Sequence, residues 1–319
     1  MLMPWLLSGL GLAILLLAGD ALVKGAVNLS LRLGVPALIV SLTIVAFGTS
    51  APELLISIKA VLDGAPGIAL GNVVGSNTAN ILMVLGIPAL LATMHTSECD
   101  TRKTYNFMLA ASVLFIALAF RGVFDWIAGL VLLAGLAFVL SDAFRDAKNH
   151  RRANGEVTAE PTEEIEGLDP DMPGWRIAVY LVLGLIGLPM GAGLLVDNAT
   201  IIATAYGVSD TVIGLTLVAI GTSLPELATT VMAALRRQAD VALGNVIGSN
   251  MFNLLAIIGI ASLVGPIDVD PEFLTFDLWV MLGASLLLLP FVYFRMDITR
   301  IWGVVLAGLY GAYMFLILA

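Results

Sequence analysis

Two glutamates stand alone in long apolar runs, each directly after a proline: Glu53 in L-T-I-V-A-F-G-T-S-A-P-E-L and Glu226 in L-T-L-V-A-I-G-T-S-L-P-E-L. Thr49 and Ser50 precede the first by four and three residues, and Thr222 and Ser223 precede the second in the same way. That spacing puts each pair on the same helical face as its glutamate or on the next. Downstream, A-L-G-N-V-V-G-S-N-T-A-N and A-L-G-N-V-I-G-S-N-M-F-N place Ser76 four residues before Asn80 and Ser249 four before Asn253. The second set follows the first at a constant offset of 173 residues, without a gap.

These residue types bind hard cations. Pro52 and Pro225 lack an N–H, so the carbonyls four residues earlier, on Gly48 and Gly221, lose their helical donors. With the neighbouring carbonyls of Ala46 and Ala219 they are expected to face an ion. Two carboxylates, several hydroxyls, amide oxygens and freed carbonyls form an all-oxygen donor set. Calcium takes six to eight such ligands in flexible geometry, and sodium accepts the same donors. Magnesium holds its water, and zinc or copper would draw on His or Cys. His95 and His150 lie in or next to loops, and the single Cys99 allows no intramolecular disulfide. Two carboxylates neutralise one divalent ion, and once it leaves they require sodium ions or protons, which is a physical basis for exchange. Small residues packing helix against helix account for individual glycines and serines, but not for a buried glutamate that occurs twice.

The elements that must carry these groups are membrane helices. The chain is 59% hydrophobic and 12% charged, with a mean hydropathy of +1.00, far too apolar for an ordinary soluble protein of 319 residues. Apolar runs of spanning length fall at about 2–22, 33–62, 67–93, 105–121, 124–143, 175–197, 208–235, 240–264, 274–294 and 300–319. The expected fold is therefore an all-α integral membrane protein of ten transmembrane helices. Residues 1–143 form a first five-helix repeat carrying the 42–86 motif, and residues 175–319 a second carrying 215–259, with a hydrophilic linker at 144–174. An odd number of spans per repeat turns the second repeat upside down. A carboxylate at membrane depth is a functional-site hypothesis by default. Lys59 lies about two turns beyond Glu53, and Arg236 and Arg237 lie at the far end of the helix carrying Glu226, so no basic residue is placed to neutralise either.

Orientation follows from the basic residues. With both termini outside, Lys24, Arg32, Arg102, Lys103, Arg145, Lys148, Arg151, Arg152, Arg176, Arg236, Arg237, Arg295 and Arg300 lie on the cytoplasmic side, leaving Lys59 and Arg121 outside, thirteen against two. The linker is then cytoplasmic. Its seven carboxylates between Glu156 and Asp171 lack the glycine-centred spacing of a calcium loop, and its composition is that of a solvated connector. The first apolar run has no preceding basic residue or convincing cleavage site, so it reads as a helix, not a signal peptide. The net charge is -9, but acidic residues are concentrated in the linker, so it says little of the membrane-embedded part, and nucleic acid is not an expected partner.

With these motifs in view, the sequence resembles the cation/calcium exchanger superfamily, specifically its prokaryotic sodium/calcium exchanger type. G-T-S-A-P-E-L at 48–54 and G-T-S-L-P-E-L at 221–227, each followed by G-N-V-(V/I)-G-S-N, look like that family's two alpha-repeats. The resemblance implies a four-site ion cluster at the membrane midplane, and alternating access in which the first and sixth helices slide across a compact core. It further implies central ligands Glu53 and Glu226 with Asn80 and Asn253 opposite them. Thr49, Ser50, Ser76, Thr222, Ser223, Ser249 and the carbonyls of Ala46 and Ala219 would complete the sites. One position departs from the pattern: well-studied members carry an Asp where this chain has Asn253, so two acidic groups replace three and the number and kind of coupled counter-ions is open.

The expected function is a secondary antiporter of the plasma (inner) membrane exchanging calcium for sodium, with no cofactor, no enzymatic activity and no obligatory protein partner beyond the surrounding lipid. A calcium/proton antiporter on the same fold is the nearest alternative. A passive cation channel is a rival of another class, disfavoured by the inverted repeat with broken helices. An intramembrane hydrolase is remote, because no histidine accompanies the buried serines. Asp20 and Asp197 lie near ends of the first and sixth helices, and Asp20 is expected to pair with Lys24 one turn on.

Overall fold

The computed structural model describes residues 2–153, 169, 171–207, 219–271 and 273–318. In chain order the helices are α1 (Leu2–Leu33), α2a (Ala37–Thr49) and α2b (Ala51–Leu62), α3 (Pro66–Leu91), α4 (Arg102–Ala119), α5 (Trp126–Ala153), α6 (Gly174–Ala205), α7a (Ala219–Thr222) and α7b (Leu224–Leu235), α8 (Ala239–Val264), α9 (Phe273–Tyr293) and α10 (Arg300–Leu318). Among the described residues seven of these are long and apolar enough to cross a membrane, and α2a with α2b, bent by 42°, makes an eighth. The helix α4 opens on Arg102 and Lys103, and residues 208–218, the start of the expected seventh span, lie outside the described part.

The helix ends differ from the hydropathy limits. Helix α1 runs to Leu33, eleven residues beyond the expected 22, because the polar groups that lower its hydropathy are partnered: Lys24 pairs with Asp20 at 3.1 Å, and Asn28 donates to the Lys24 carbonyl at 2.9 Å. Helix α6 likewise continues to Ala205. Helix α5 extends through R-D-A-K-N-H-R-R to Ala153, so the basic opening of the expected linker is helical. Lys103 of α4 binds Asp142 at 2.6 Å and Asp146 at 2.7 Å across that boundary. The rest of the linker, 154–168, with its candidate calcium-binding carboxylates, is outside the described residues except where its end returns: the Asp169 N–H donates to Asn28 Oδ1 at 3.0 Å.

Helices α3 and α8, which carry the G-N-V motifs, are mostly buried, whereas α1, α6 and α10 turn most of their surface outward. The main core gathers around them, with Leu70, Val73, Leu85, Val246, Leu254 and Ile258 all fully enclosed. Close approach explains the glycines: a Cβ on Gly248 would lie 2.6 Å from the Ala46 Cβ and from the Leu42 carbonyl oxygen, so only glycine lets α2a rest on α8. A second, smaller core joins α1 to α6 through Leu15, Ala18, Leu22, Leu188 and Ala192. There too the backbones nearly touch, since a Cβ on Gly11 would meet the Leu195 nitrogen at 2.7 Å and the Gly191 oxygen at 2.9 Å.

Both halves repeat the same contacts. Asn77 Nδ2 donates to the Asn250 carbonyl at 3.2 Å, and Asn250 Nδ2 donates to the Asn77 carbonyl at 3.4 Å, across the offset of 173. The same two amides approach Met281 Sδ and Met108 Sδ, each at 3.8 Å, again 173 apart. At the bundle's margins, β1 (Val123–Phe124) pairs antiparallel with β2 (Ile267–Asp268), and an isolated bridge joins Met94 to Ile298. Met94 and Ile267 are themselves 173 apart, so the two strand contacts are counterparts. This reciprocity is the signature of a duplication whose halves are related by a pseudo-two-fold axis passing between Asn77 and Asn250.

Candidate ion-binding site

Each proline conflict is resolved by ending one helix and starting another. Helix α2a stops at Thr49, Ser50 takes φ −86° and ψ 3°, and α2b restarts at Ala51; Ser223 takes φ −87° and ψ 3° before α7b. Pro52 and Pro225 thereby occupy first turns, where a missing N–H costs nothing. Glu53 and Glu226 follow in those turns, near the positive end of the helix dipole. Both are 1% exposed, and among the described residues no ion pair includes either one.

The two breaks face one another. Ser50, from the first half, donates to Glu226 Oε1 at 3.2 Å, and Ser249 Oγ reaches the same oxygen at 3.5 Å. Thr49 Oγ1 lies 3.3 Å from Asn245 Oδ1, to which it donates, and 3.4 Å from Ser249 Oγ. Asn80 begins a π-helical turn, Asn80–Val84, and Asn253 is the second residue of another, Phe252–Ile257, a distortion frequent at functional sites. Ser76, Ser223 and Ser249 are buried and Thr222 is half-buried, whereas nothing is described of the Ala219 side chain. The Ala46 carbonyl, expected to face an ion, is occupied instead: it accepts the Ser50 N–H at 3.0 Å, an ordinary helical bond four residues on, and the Thr49 hydroxyl at 3.3 Å. Asp197 is exposed on α6, and Asp20 binds Arg236 Nε of the α7b end at 2.5 Å besides Lys24.

Four buried carboxyl and amide oxygens in this cluster accept no hydrogen bond, Glu53 Oε2, Glu226 Oε2, Asn80 Oδ1 and Asn253 Oδ1, and the buried Ser223 hydroxyl is likewise without a partner. A buried acceptor left without a donor costs free energy. Here the four come in two pairs related by the 173-residue offset, and all are hard donors. A cation coordinated by all four would satisfy them together.

A chain can be read as all packing and still hold positioning residues. Asn72 Nδ2 donates to the Glu53 carbonyl at 3.3 Å and to Ser57 Oγ at 3.1 Å, and Asn245 Nδ2 donates to the Glu226 carbonyl at 3.3 Å and to Thr230 Oγ1 at 3.2 Å. Both amides lie in the duplicated G-N-V triplets, which the sequence offered only as close-packing surfaces. Asn245 also receives Thr49, so it ties the Glu226 backbone to a hydroxyl of the opposite half. Residues that orient a cation's ligands typically change its affinity 10- to 100-fold when removed. Asn245→Ala is accordingly expected to raise the calcium concentration for half-maximal uptake by about tenfold, read from initial rates in vesicles against external calcium.

Comparison with known proteins places this arrangement. A profile described as sodium/calcium exchanger protein matches residues 3–142 and 176–319. The chain belongs to the sodium/calcium exchanger protein family. It is 35% identical over 340 residues to the sodium/calcium exchanger MaX1 of Methanosarcina acetivorans, covering 96% of this chain and 95% of that one. The sodium-calcium exchanger NCX_Mj superposes with a TM-score of 0.82 at 32% identity, over 98% of this chain and 97% of its own. A Ca(2+)/H(+) antiporter of Bacillus subtilis, ChaA, is 25% identical over 256 residues, 75% of this chain and 72% of its own. This family member is thus an integral membrane protein of the exchanger fold and a cation antiporter.

Proposed function

We propose that this exchanger moves calcium out of the cytoplasm in exchange for sodium, by alternating access to one site shared between its halves. The observation carrying this reading is the set of four unpartnered buried oxygens on Glu53, Glu226, Asn80 and Asn253. Two carboxylates balance one calcium ion, and the amide oxygens add neutral ligands without further charge. Thr49, Ser50 and Ser76 of the first copy, with Thr222, Ser223 and Ser249 of the second, supply the hydroxyls that flank the centre. The carbonyls of Ala46 and Ala219 close the set, and an ion at Ala46 would compete with the Ser50 N–H and the Thr49 hydroxyl. When calcium leaves, two monovalent cations restore neutrality, and the flanking oxygens suit sodium.

Residues 1–143 and 175–319 then act as two inverted halves joined by a cytoplasmic linker, with both termini outside the inner membrane. Excess basic residues on one side of the spans support this orientation.

Proton coupling is the second reading, favoured by Asn253, which leaves the site one carboxylate short of the pattern that the resemblance implies, and by the similarity to ChaA. Purified protein in sealed vesicles separates the two. With pH and voltage clamped, an imposed sodium gradient is expected to drive calcium uphill. Calcium flux that ignores sodium and follows an imposed pH gradient would assign the coupling to protons.

A further inference from the structure

Outside the ion site, a cleft of about 540 Å³ opens between α2a and α5. Val35, Ile39 and Ile44 form one wall, and Leu140, Phe144 and Lys148 the other; the Thr43 hydroxyl is turned onto the Ile39 carbonyl at 2.8 Å, so the lining is mainly hydrocarbon with one ammonium. Its volume lies within the range of cavities that hold small organic ligands. Phe144 is 71% exposed at the rim, which leaves the cleft accessible from the side.

The cationic end is built by α5 continuing past its apolar span. Arg145 and Lys148 are exposed, lie three residues apart and are neighbours on one helical surface. Among the described residues neither forms an ion pair, because the adjacent carboxylates, Asp142 and Asp146, are both taken by Lys103. Among the described residues, two cations without an ion pair thus stand beside an apolar cleft, where α5 runs on past its apolar span. The complementary molecule has a negative head and a hydrocarbon tail. We propose that this cleft binds one anionic phospholipid, its phosphate on Arg145 and Lys148 and an acyl chain between α2a and α5.

The location gives such binding a consequence. The wall residues Ile39, Val40, Thr43 and Ile44 belong to the helix that carries Ala46 and Thr49 a turn further on. A chain lodged there braces the outer side of the first-half ligands, opposite the face that packs on α8.

Native mass spectrometry of protein extracted from vesicles of mixed phosphatidylcholine and phosphatidylglycerol tests this directly. The wild type is expected to retain one phosphatidylglycerol in preference to phosphatidylcholine by a factor on the order of ten, given two surface cations. Arg145→Gln with Lys148→Gln should lose that preference, and Lys148→Arg should keep it. Ala147→Trp, which fills the cleft and spares both cations, should lose retention of either lipid. Calcium uptake by each variant in pure phosphatidylcholine vesicles reports folding. Equal retention of the two lipids, a preference unchanged in the double variant, or retention unaffected by Ala147→Trp would each overturn the site. So would complete displacement of the lipid by inorganic phosphate, which would mark a free-anion site, or a preference that emerges only after the linker glutamates are replaced by glutamine, which would give the cations to the linker.

Discussion

Glu226→Gln is expected to reduce calcium uptake into everted vesicles by at least about a hundredfold, and Glu53→Gln to do the same. Each substitution keeps the shape of the side chain and removes one of the two negative charges. The Ser50 and Ser249 hydroxyls, at 3.2 and 3.5 Å from Glu226 Oε1, find the same acceptor in the glutamine carbonyl. A divalent ion is then left with one compensating charge at membrane depth, where an unbalanced charge costs several kcal/mol. The fold itself gains, because an unpaired buried carboxylate is harder to accommodate than a neutral amide. Without calcium, the Tm of both variants should match or exceed that of the wild type, whereas the rise in Tm on adding calcium should vanish. Uptake at the wild-type rate in both variants would remove these glutamates from the transport site.

Gly191→Leu has the second largest expected effect, and it acts through the α1–α6 contact, not through an ion ligand. A Cβ at this position would lie 2.9 Å from the Leu15 nitrogen and 3.0 Å from the Gly11 oxygen, both of them backbone. Backbone atoms in the middle of a helix cannot step aside, so α1 and α6 must separate. Membrane helices have no hydrophobic drive to hold them together and depend on such close packing. Overpacking on this scale costs about 1–3 kcal/mol, and more once the neighbouring contacts of Leu188 and Ala192 are lost. The expected result is a markedly lower Tm and little folded protein after size-exclusion chromatography. Wild-type yield and Tm would show that the α1–α6 spacing adjusts freely. Gly193 on the same helix meets nothing within 4 Å, and Gly193→Ala serves as the matched control.

The centre of the site was legible because duplication separates chemistry from coincidence. One proline-glutamate pair in an apolar run is ambiguous, but two at the same offset, each with hydroxyls and an amide at fixed distances, constrain a pair of facing helix breaks. The inverted arrangement followed from counting spans and basic residues, and the reciprocal Asn77 and Asn250 bonds accord with it. Helix ends were not legible. Hydropathy measures transfer of an unpartnered residue, and it ended the first span before Asn28, although Lys24 and Asn28 are bonded within α1. It ended the fifth span at 143, although Ala, Arg and Lys continue a helix in water as readily as in lipid. Asn72 and Asn245 were missed for a different reason: a small polar residue in a close-packed stretch looks the same whether it fills space or holds a carbonyl, and only the third dimension distinguishes them. The Ala46 carbonyl shows the converse, since it lies before the break and keeps its ordinary helical donor, the Ser50 N–H.

The Asp20–Arg236 bridge gains meaning from what stands at the duplicated positions. Adding or subtracting 173 gives Gly193 for Asp20, Asp63 for Arg236 and Asp197 for Lys24, so the other half has no means of making the same bridge. A scaffold of two equal halves set head to tail would look identical from either side of the bilayer and would have no intrinsic forward direction. An ion bound among Glu53, Glu226 and the paired asparagines meets nearly that situation. The polarity of the molecule is therefore written at its margins, in charges that no transported ion needs to touch, and these residues could change by mutation without altering what the site binds.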